Sequence, residues 1–460
     1  MMLRTSFRLS KVSLRPSLLF IFLILCVFTG GSSRDDVAGL LVLYPGAILI
    51  ATAALLSRGS FRWRDMWVLL IFLISFAIWM IIQIIPFPSA IWLELPKRDI
   101  IIRGADLAGV TLTWRPISLA PDLTLASLVY LSVPLSALIL TACVPRLQIH
   151  RLVWFLLCMG LLSSVLGVAQ VAGGADSAFY FFASGSKMDT TGLFSNRNHH
   201  ALLLAMMFPL TAVTIDRWPA TSLRPRWRLA IAGGAAIFWM VMLLMAGSRA
   251  GLLMGVVGLT LSALFIMRPF YSFELGRYRS AHWLAMIGII VLISAVIVVF
   301  HTNLPSVDRM ISGNIGDELR LQSLPVLTNM IASFWLLGTG FGTFDPVYRI
   351  FEPDRLLADT YLNHAHNDLI ELLITGGIFP TIMVCTFAVH TACKMFGCLR
   401  DRSSSSDAIY ARVATILIFL IGISSLIDYP LRTPLITVIL VISYSWLNFS
   451  TSRAIKKALR

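Results

Sequence analysis

The sequence predicts an all-α integral membrane protein with about twelve transmembrane helices. Hydrophobic residues occupy 57% of the 460 positions and charged residues only 13%. Soluble domains have about 45–50% apolar and about 25% charged residues. The composition therefore excludes a water-soluble globular protein and a disordered chain. Two further observations, the spacing of the apolar runs and the positions of the basic residues, define the spans and their orientation.

The apolar residues are grouped in runs that match the thickness of a bilayer, since a helix needs about 20 apolar residues to cross it. The first run follows four basic residues, so it is either an uncleaved first span or a signal peptide. We expect residues 1–460 to form a single polytopic membrane domain. The runs lie at 16–30, 38–57, 66–85, 123–143, 152–172, 199–215, 229–248, 250–267, 282–302, 368–391, 408–427 and 433–449.

The formal net charge of +14 would suggest a nucleic-acid partner in a soluble protein. When the spans alternate from a cytoplasmic N-terminus, however, 24 of the 37 Lys and Arg residues fall in cytoplasmic segments. Such a bias is the positive-inside signal of membrane proteins. The charge therefore predicts topology, with both termini cytoplasmic, and no nucleic-acid partner is expected.

The six cysteines carry no visible chemistry of their own. None lies in an exported loop, so no disulfide framework is predicted. Cys393 and Cys398 have a C-x4-C spacing, and we do not expect them to form a metal site. We expect neither a metal nor a cofactor.

Three exported loops, 86–122, 173–198 and 303–367, are much longer than the others, and long loops are where function tends to concentrate. In the longest loop, between spans 9 and 10, Arg320 begins a segment that we predict to lie on the membrane surface as an interfacial helix. The run Gly338-Thr339-Gly340-Phe341-Gly342 follows. It is either a flexible turn or a phosphate-binding loop, and the latter signal is weak because no strand or Walker lysine accompanies it.

Three exported positions are candidates for chemistry. Arg249 lies at a turn between two apolar spans, where it either meets an anionic partner or serves as an interfacial anchor. Arg320 is either a ligand-binding residue or a solvated surface charge. The third is the segment that begins at His364, because histidine exchanges a proton near neutral pH and can act as a general base. That segment is His364-Ala365-His366-Asn367-Asp368, and Asn196-Arg197-Asn198-His199-His200 resembles it in composition.

No acidic residue lies at the centre of a predicted span, and Glu371 and Asp428 fall near exported ends. Ion-coupled carriers usually place an acid at mid-membrane depth. The sequence therefore disfavours a proton-driven carrier, whereas a flippase with a hydrophilic groove stays open as an alternative.

These motifs, in their order along the chain, resemble the O-antigen ligase and polymerase superfamily of bacterial envelope polysaccharide enzymes. The ligase pattern of that family is matched by His366, Asn367 and Gly377, while Pro380 departs from its last position. The motifs are Trp114-Arg115-Pro116-Ile117-Ser118, Gly192-Leu193-Phe194-Ser195-Asn196-Arg197-Asn198, Gly247-Ser248-Arg249-Ala250-Gly251, Arg320 with Trp335 to Gly342, and His364-Ala365-His366-Asn367-Asp368-Leu369 with Gly376-Gly377.

The resemblance implies a GT-C-like fold with a catalytic region at 192–390. It further implies a metal-independent, inverting glycosyltransferase of the bacterial inner membrane with its active site on the periplasmic face. Such enzymes move a glycan from undecaprenyl diphosphate to a hydroxyl of lipid A–core or of another glycan, so the partners are that donor, a lipid or glycan acceptor and membrane lipids.

The resemblance also suggests roles for individual residues. His366 would be the catalytic base, and Arg249 and Arg320 would bind the diphosphate, because arginine forks match phosphate oxygens. Arg197, Asn367 and His364 are expected to bind substrate. Two alternatives stay open: a polymerase of the same superfamily and, in another class, a polysaccharide or lipid flippase.

Overall fold

The computed structural model is an assembly of α-helices. It describes residues 14–34, 37–182, 189–218, 225–267, 315–357, 362–401 and 403–458. The long helices of the bundle are α1 Leu14–Thr29, α2 Leu40–Leu56, α3 Trp63–Ile84, α6 Pro121–Tyr130, α7 Ser132–Cys143, α8 Ile149–Ala172, α9 Arg197–Asp216, α10 Pro225–Met245, α11 Arg249–Phe265, α15 Ile378–Arg400, α16 Ser406–Ile427 and α17 Pro434–Ala458.

Shorter elements lie in the connections between these helices. The two-residue strands β1 and β2 pair antiparallel through Pro86 with Pro116 and Phe87 with Arg115. The shorter elements are β1 Pro86–Phe87, α4 Ser89–Trp92, α5 Asp99–Leu107, β2 Arg115–Pro116, α12 Ile315–Phe334, α13 Phe344–Phe351 and α14 Asp368–Thr375, with 3-10 turns at Arg146–Gln148, Asp354–Leu356 and Pro430–Arg432.

The all-α membrane class is confirmed. Seven helical segments in the described part of the chain are long and apolar enough to cross a membrane, counting α6 and α7 as one, and four shorter apolar helices match other predicted runs. The predicted span at 282–302 lies outside the described residues, so twelve spans and the GT-C-like topology stay predictions. The run at 368–391 is divided at Gly376-Gly377 into α14 and α15. The sequence predicts one continuous span there, and residues 372–389 within it contain no charged side chain.

The helix ends separate into two groups, which agrees with the alternating threading. At one end, here called the basic end, Asp65 lies 3.3 Å from Arg146 and Arg217 donates to the carbonyl of Ser404. At the other, here called the loop end, the amides of Ser195 and Leu435 donate to the Gly31 and Gly30 carbonyls. The long connections and the candidate residues lie at the loop end.

Helix α9 lies at the centre of the bundle, since 83% of the residues in its most apolar 18-residue stretch are buried. Small residues let α11 approach it: a Cβ on Gly251 would lie 2.2 Å from the Ala201 Cβ, and one on Gly258 would lie 2.9 Å from the Ala205 carbonyl oxygen. In a membrane, where apolar burial drives little association, such close backbone contact is a main source of helix packing. The contact fixes the N-termini of α9 and α11 side by side at the loop end.

Two buried glutamines attach the loops to the bundle. The Gln170 side chain of α8 donates to the Phe179 and Gly192 carbonyls and accepts from the Thr191 and Gly192 amides. The Gln83 side chain of α3 donates to the Leu337 and Thr375 carbonyls. Each amide satisfies buried backbone groups that would otherwise be costly to desolvate.

The glycine run at 338–342 is a closely packed turn, and its predicted flexibility stays a prediction. Gly338, Gly340 and Gly342 have φ of +77°, +106° and +78°. A Cβ on Gly338 would lie 2.2 Å from the Thr375 carbonyl oxygen, and one on Gly340 would lie 2.2 Å from the Ser118 Oγ. The glycines allow the loop to touch α14, which directly follows the candidate residues His364, His366 and Asn367.

The long connection after span 9 is partly helical, as predicted, but its helix has other bounds. Helix α12 runs from Ile315 to Phe334, so Arg320 lies inside it rather than at its start, and Trp335 to Leu337 follow its end. Residues 303–314 of this predicted loop lie outside the described residues. The buried residues Met330, Phe344 and Ile374 belong to a small second core that joins α12, α13 and α14.

Candidate active site

The N-terminus of α9 presents three polar side chains at the loop end. Asn196 caps the helix by accepting from the Asn198 amide at 2.8 Å. Arg197 follows and lies 3.1 Å from the Asp189 carboxylate. His199 is fully buried, and its Nδ1 is 2.8 Å from the Thr433 Oγ1. The α9 terminus thus connects the 189–195 loop to the turn before α17.

The N-terminus of α11 joins the same site through its cap. Ser248 accepts from the Gly251 amide at 3.0 Å and donates to the Asn198 Oδ1 at 2.8 Å. Arg249, the next residue, is exposed. Because Ser248 is fixed to α9, Arg249 lies at the edge of this cluster.

Asp428 is the point where these elements meet. It ends α16 in an extended conformation and is 2% exposed. Its Oδ2 accepts from the Asn198 Nδ2 at 2.8 Å, and its Oδ1 lies 3.1 Å from the His366 Nδ1. A continuous chain of side chains therefore runs from His366 through Asp428 and Asn198 to Ser248.

His366 is held in an unusual backbone conformation. Its φ is +49°, a left-handed value that is uncommon for a residue with a side chain. Asn367 follows as the N-cap of α14 and accepts from the Leu369 and Ile370 amides, while its Nδ2 donates to the Leu426 carbonyl. The helix cap on one side and the Asp428 contact on the other hold the His366 ring in place, and strain of this kind clusters at functional sites.

A second network lies beside the first. The Glu371 carboxylate accepts from the Ala365 amide at 3.0 Å, lies 3.0 Å from the His364 Nδ1 and is 3.2 Å from the Arg432 Nη2. The side chain of Glu371 is 2% exposed. Buried charges are tolerated where they are paired and hydrogen-bonded, and both oxygens of Glu371 are engaged in this way.

Tyr429 separates the two networks. Its ring centroid is 4.3 Å from that of His364, 4.9 Å from that of His366 and 5.4 Å from that of His199. Burial raises the pKa of Tyr429, and the negative charge of Asp428 raises it further, so the phenol stays protonated. Three histidines from two distant segments thus surround one neutral ring.

The electrostatics favour an ionised Asp428. Burial by itself raises the pKa of this carboxyl, but the hydrogen bond with His366, the electrostatic interactions with His199 and His366, and the positive charge of Arg320 lower the pKa below its ordinary range. Arg320 on α12 therefore lies within electrostatic range of the cluster. A carboxylate beside Nδ1 fixes which imidazole nitrogen carries the proton.

The site residues predicted from the sequence lie at different distances from the cluster around Asp428. His366 and His364 lie at the centre, Arg320 acts on Asp428 by its charge, and Arg249 lies beside Ser248. Arg197 lies at the same helix terminus as Asn198 but is paired with Asp189. Asn367 has a helix-capping contact, so its predicted substrate role stays a prediction, as do the roles of the others.

Sequence reasoning missed the two residues that join the site, Asp428 and Asn198. The sequence places Asp428 only near an exported span end and Asn198 only within a polar segment. The available signal was the short run Asp428-Tyr429-Pro430-Leu431-Arg432, which places polar and aromatic groups in the turn between two apolar spans. In the described part of the chain, no three His, Cys, Asp or Glu side chains are grouped as metal ligands.

Comparison with protein-family models identifies part of the chain. Residues 234–385 match the family model described as O-Antigen ligase. No curated protein matches the chain. The matched segment includes Arg249, Arg320 and the histidine segment at 364–366, and it confirms the predicted resemblance to the O-antigen ligase superfamily.

Proposed function

We propose that this membrane protein is a glycosyltransferase of the O-antigen ligase type, which moves a glycan from undecaprenyl diphosphate to an acceptor hydroxyl on the periplasmic face of the inner membrane. One observation carries the proposal: His366, inside the family-matched segment, is paired with the buried carboxylate of Asp428 at 3.1 Å. A histidine whose Nδ1 is fixed by a carboxylate has its Nε2 available as a base, which is the arrangement that activates hydroxyl groups.

In the proposed reaction, the Nδ1–H of His366 donates to Asp428 and the Nε2 accepts the proton of the acceptor hydroxyl. The acceptor oxygen then forms a bond with the anomeric carbon, and the bond from that carbon to the diphosphate oxygen breaks. The electron pair leaves with the undecaprenyl diphosphate. Because the acceptor oxygen attacks the face opposite the leaving group, the anomeric configuration inverts. General-base assistance of this kind typically contributes about 10²–10⁴-fold.

The arginines supply positive charge where the leaving diphosphate gains negative charge. Arg249 is exposed at the N-terminus of α11, and a helix N-terminus itself favours anions. Arg320 reaches the cluster from α12. A fixed donor aimed at developing charge is worth about 2.7–4 kcal/mol in a transition state. Arg197, which is partly balanced by Asp189, is a weaker candidate.

The arrangement weakens one alternative for the base. Glu371 is the next candidate for the base, but its oxygens already contact His364, Arg432 and the Ala365 amide. A carboxylate that is already paired with an arginine is poorly suited to accept a substrate proton. Glu371 therefore supports the loop, and His366 is the proposed base.

A first experiment separates the enzyme from a flippase. Purified protein in detergent is incubated with a polyprenyl-diphosphate glycan and an acceptor without ATP, and glycan transfer is measured by gel shift and mass spectrometry. We expect transfer by the native protein and none by Arg249→Ala, with the protein still inserted and monodisperse. No transfer by the native protein with any acceptor, combined with glycolipid scrambling in vesicles, would favour the flippase.

A second experiment addresses the acceptor, since a polymerase of the same superfamily is the other candidate. The gene is deleted and the envelope glycan is analysed. Accumulation of long lipid-linked chains with uncapped lipid A–core indicates a ligase, which is our proposal. Accumulation of single lipid-linked repeat units indicates a polymerase.

A further inference from the structure

A cavity of about 380 Å³ lies at the basic end of the bundle, far from the candidate active site. It is formed where α8 and α16 begin and where α9 ends. Helix α9 runs 20 residues from Arg197 to Asp216, which separates its two termini by about 30 Å. The polar and aromatic side chains that line the cavity are His150, Trp154, Thr214, Arg217, Trp218 and Tyr410.

We propose that this cavity binds the headgroup of an anionic glycerophospholipid. The inference is independent of the proposed glycosyltransferase reaction. It rests on three features of the cavity: its positive charge, its pair of exposed tryptophans and an apolar strip that leads from it along α8.

The charge is supplied mainly by arginine. Arg217 is 30% exposed and lies 3.6 Å from the Asp216 carboxylate, and its Nη2 donates to the Ser404 carbonyl. Arg228 and Arg412 are also within electrostatic range of Asp216, and Asp401 is near Arg412. Of these arginines Arg217 lines the cavity itself, and the three arginines in this region outnumber the two carboxylates. A guanidinium with donors left over suits a phosphate diester.

The aromatic residues indicate a position at the membrane surface. Trp154 is 50% exposed and Trp218 is 38% exposed, and tryptophan is enriched at the depth of lipid headgroups. Both belong to or directly follow helices long enough to cross a bilayer. The cavity thus lies where a headgroup would be, and positive-inside reasoning predicts that this is the cytoplasmic leaflet.

An apolar strip distinguishes a lipid from a soluble phosphate. Trp154, Leu161 and Val165 occupy positions i, i+7 and i+11 of α8, which lie on one helix face. They are 50%, 46% and 65% exposed. On a membrane-spanning helix such a strip faces lipid tails. It begins at the cavity wall and runs toward the bilayer centre, so one acyl chain can lie along it while the phosphate contacts Arg217.

The test is native mass spectrometry of the full-length protein in detergent, titrated with phosphatidylglycerol, phosphatidylcholine or inorganic phosphate. A basic residue near an anionic lipid contributes about a fivefold change in affinity. We expect tighter binding of one phosphatidylglycerol than of phosphatidylcholine, and we expect Arg217→Gln with His150→Gln to weaken it at least fivefold. Inorganic phosphate should not displace the lipid.

Arg151→Gln is the matched control, because Arg151 is an exposed arginine beside His150 that does not line the cavity. It should leave phosphatidylglycerol binding unchanged, and Arg217→Lys should retain most of it. If Arg217→Gln does not fold, Trp154→Ala tests the same site by loss of the lipid-facing contact. Equal affinity for the two lipids, displacement by phosphate, or an equal loss in Arg151→Gln would overturn the proposal.

Discussion

The His366 Nδ1 and the Asp428 Oδ1 lie 3.1 Å apart although 62 residues separate them in the sequence. The contact joins the segment before α14 to the end of α16, and Asn198 continues it into α9. Asp428, an acid at the end of a span, is therefore the hydrogen-bond partner of the candidate base His366.

The first prediction concerns Asp428 as a positioning residue. Asp428→Asn removes the charge that fixes the His366 tautomer, and its amide NH₂ opposes a donor from either His366 or Asn198. We expect kcat for glycan transfer to fall about 10–100-fold, within the range attributed to general-base catalysis, with little change in KM.

The control is Asp407→Asn, which alters a carboxylate at the opposite end of α16 that lies 3.8 Å from Arg146. It should leave kcat unchanged. An unaltered kcat in Asp428→Asn, measured under saturating donor, would contradict the positioning role.

The second prediction concerns pH. The folded-state pKa of Asp428 is lowered, whereas the unfolded pKa of Asp is about 3.9. A lowered pKa contributes stability that is fully present above the unfolded pKa and is lost as pH falls through the folded one. The difference in melting temperature between the native protein and Asp428→Asn should therefore be the same at pH 7 and pH 5.5 and shrink below about pH 4. A difference that already closes between pH 7 and pH 5.5 would show that another group dominates.

The third prediction concerns the pair formed by the buried Glu371 and the half-buried Arg432, which are 3.2 Å apart. Arg432→Ala leaves a buried carboxylate with one partner fewer, and breaking such a pair typically costs about 3–5 kcal/mol. We expect a clear loss in the free energy of unfolding in detergent. Arg349→Ala is the comparison, because its pair with Asp345 is exposed and should change stability by at most about 1 kcal/mol. Equal effects of the two variants would refute a stabilising role for the buried pair.

The fourth prediction concerns the glycine run. Gly338→Ala adds a Cβ 2.2 Å from the Thr375 carbonyl oxygen at a φ of +77°. Gly174→Ala imposes a similar φ, +72°, with nothing within 4 Å, so it isolates the backbone strain, about 1 kcal/mol. Gly338→Ala should lower the free energy of unfolding by about 1–3 kcal/mol more than Gly174→Ala, because the added Cβ overpacks the contact. Chemical unfolding in detergent measures both losses. Equal losses in both variants would mean that the packed loop is not required.

The sequence allowed much of the fold to be predicted, because apolar runs and basic flanks report directly on membrane insertion. Span interiors at 152–172 and 408–427 lie within helices α8 and α16 for that reason. The break between α14 and α15 was not predicted because Gly376 and Gly377 interrupt the helix without adding a charged or polar side chain to the apolar run. Neither the helical periodicity of the apolar residues nor the mean hydropathy of the segment changes at this break.

The candidate site was predicted only in part. His366 and Arg320 were chosen by residue type and loop position, and both act on the same cluster. The pairing of Asp428 with His366 and Asn198 was missed because it depends on which span ends meet in space. That arrangement is set by close packing of α9 against α11, where Gly251 contacts Ala201, and no local pattern encodes it.

The most direct test of the central claim is glycan transfer by His366→Ala compared with His364→Ala. Both variants remove a histidine that packs on Tyr429, but only His366 is paired with Asp428. Transfer from the polyprenyl-diphosphate donor is measured with purified protein of equal melting temperature. We predict a loss of at least about 100-fold in kcat for His366→Ala and a much smaller loss for His364→Ala. Full activity in His366→Ala would contradict its assignment as the base.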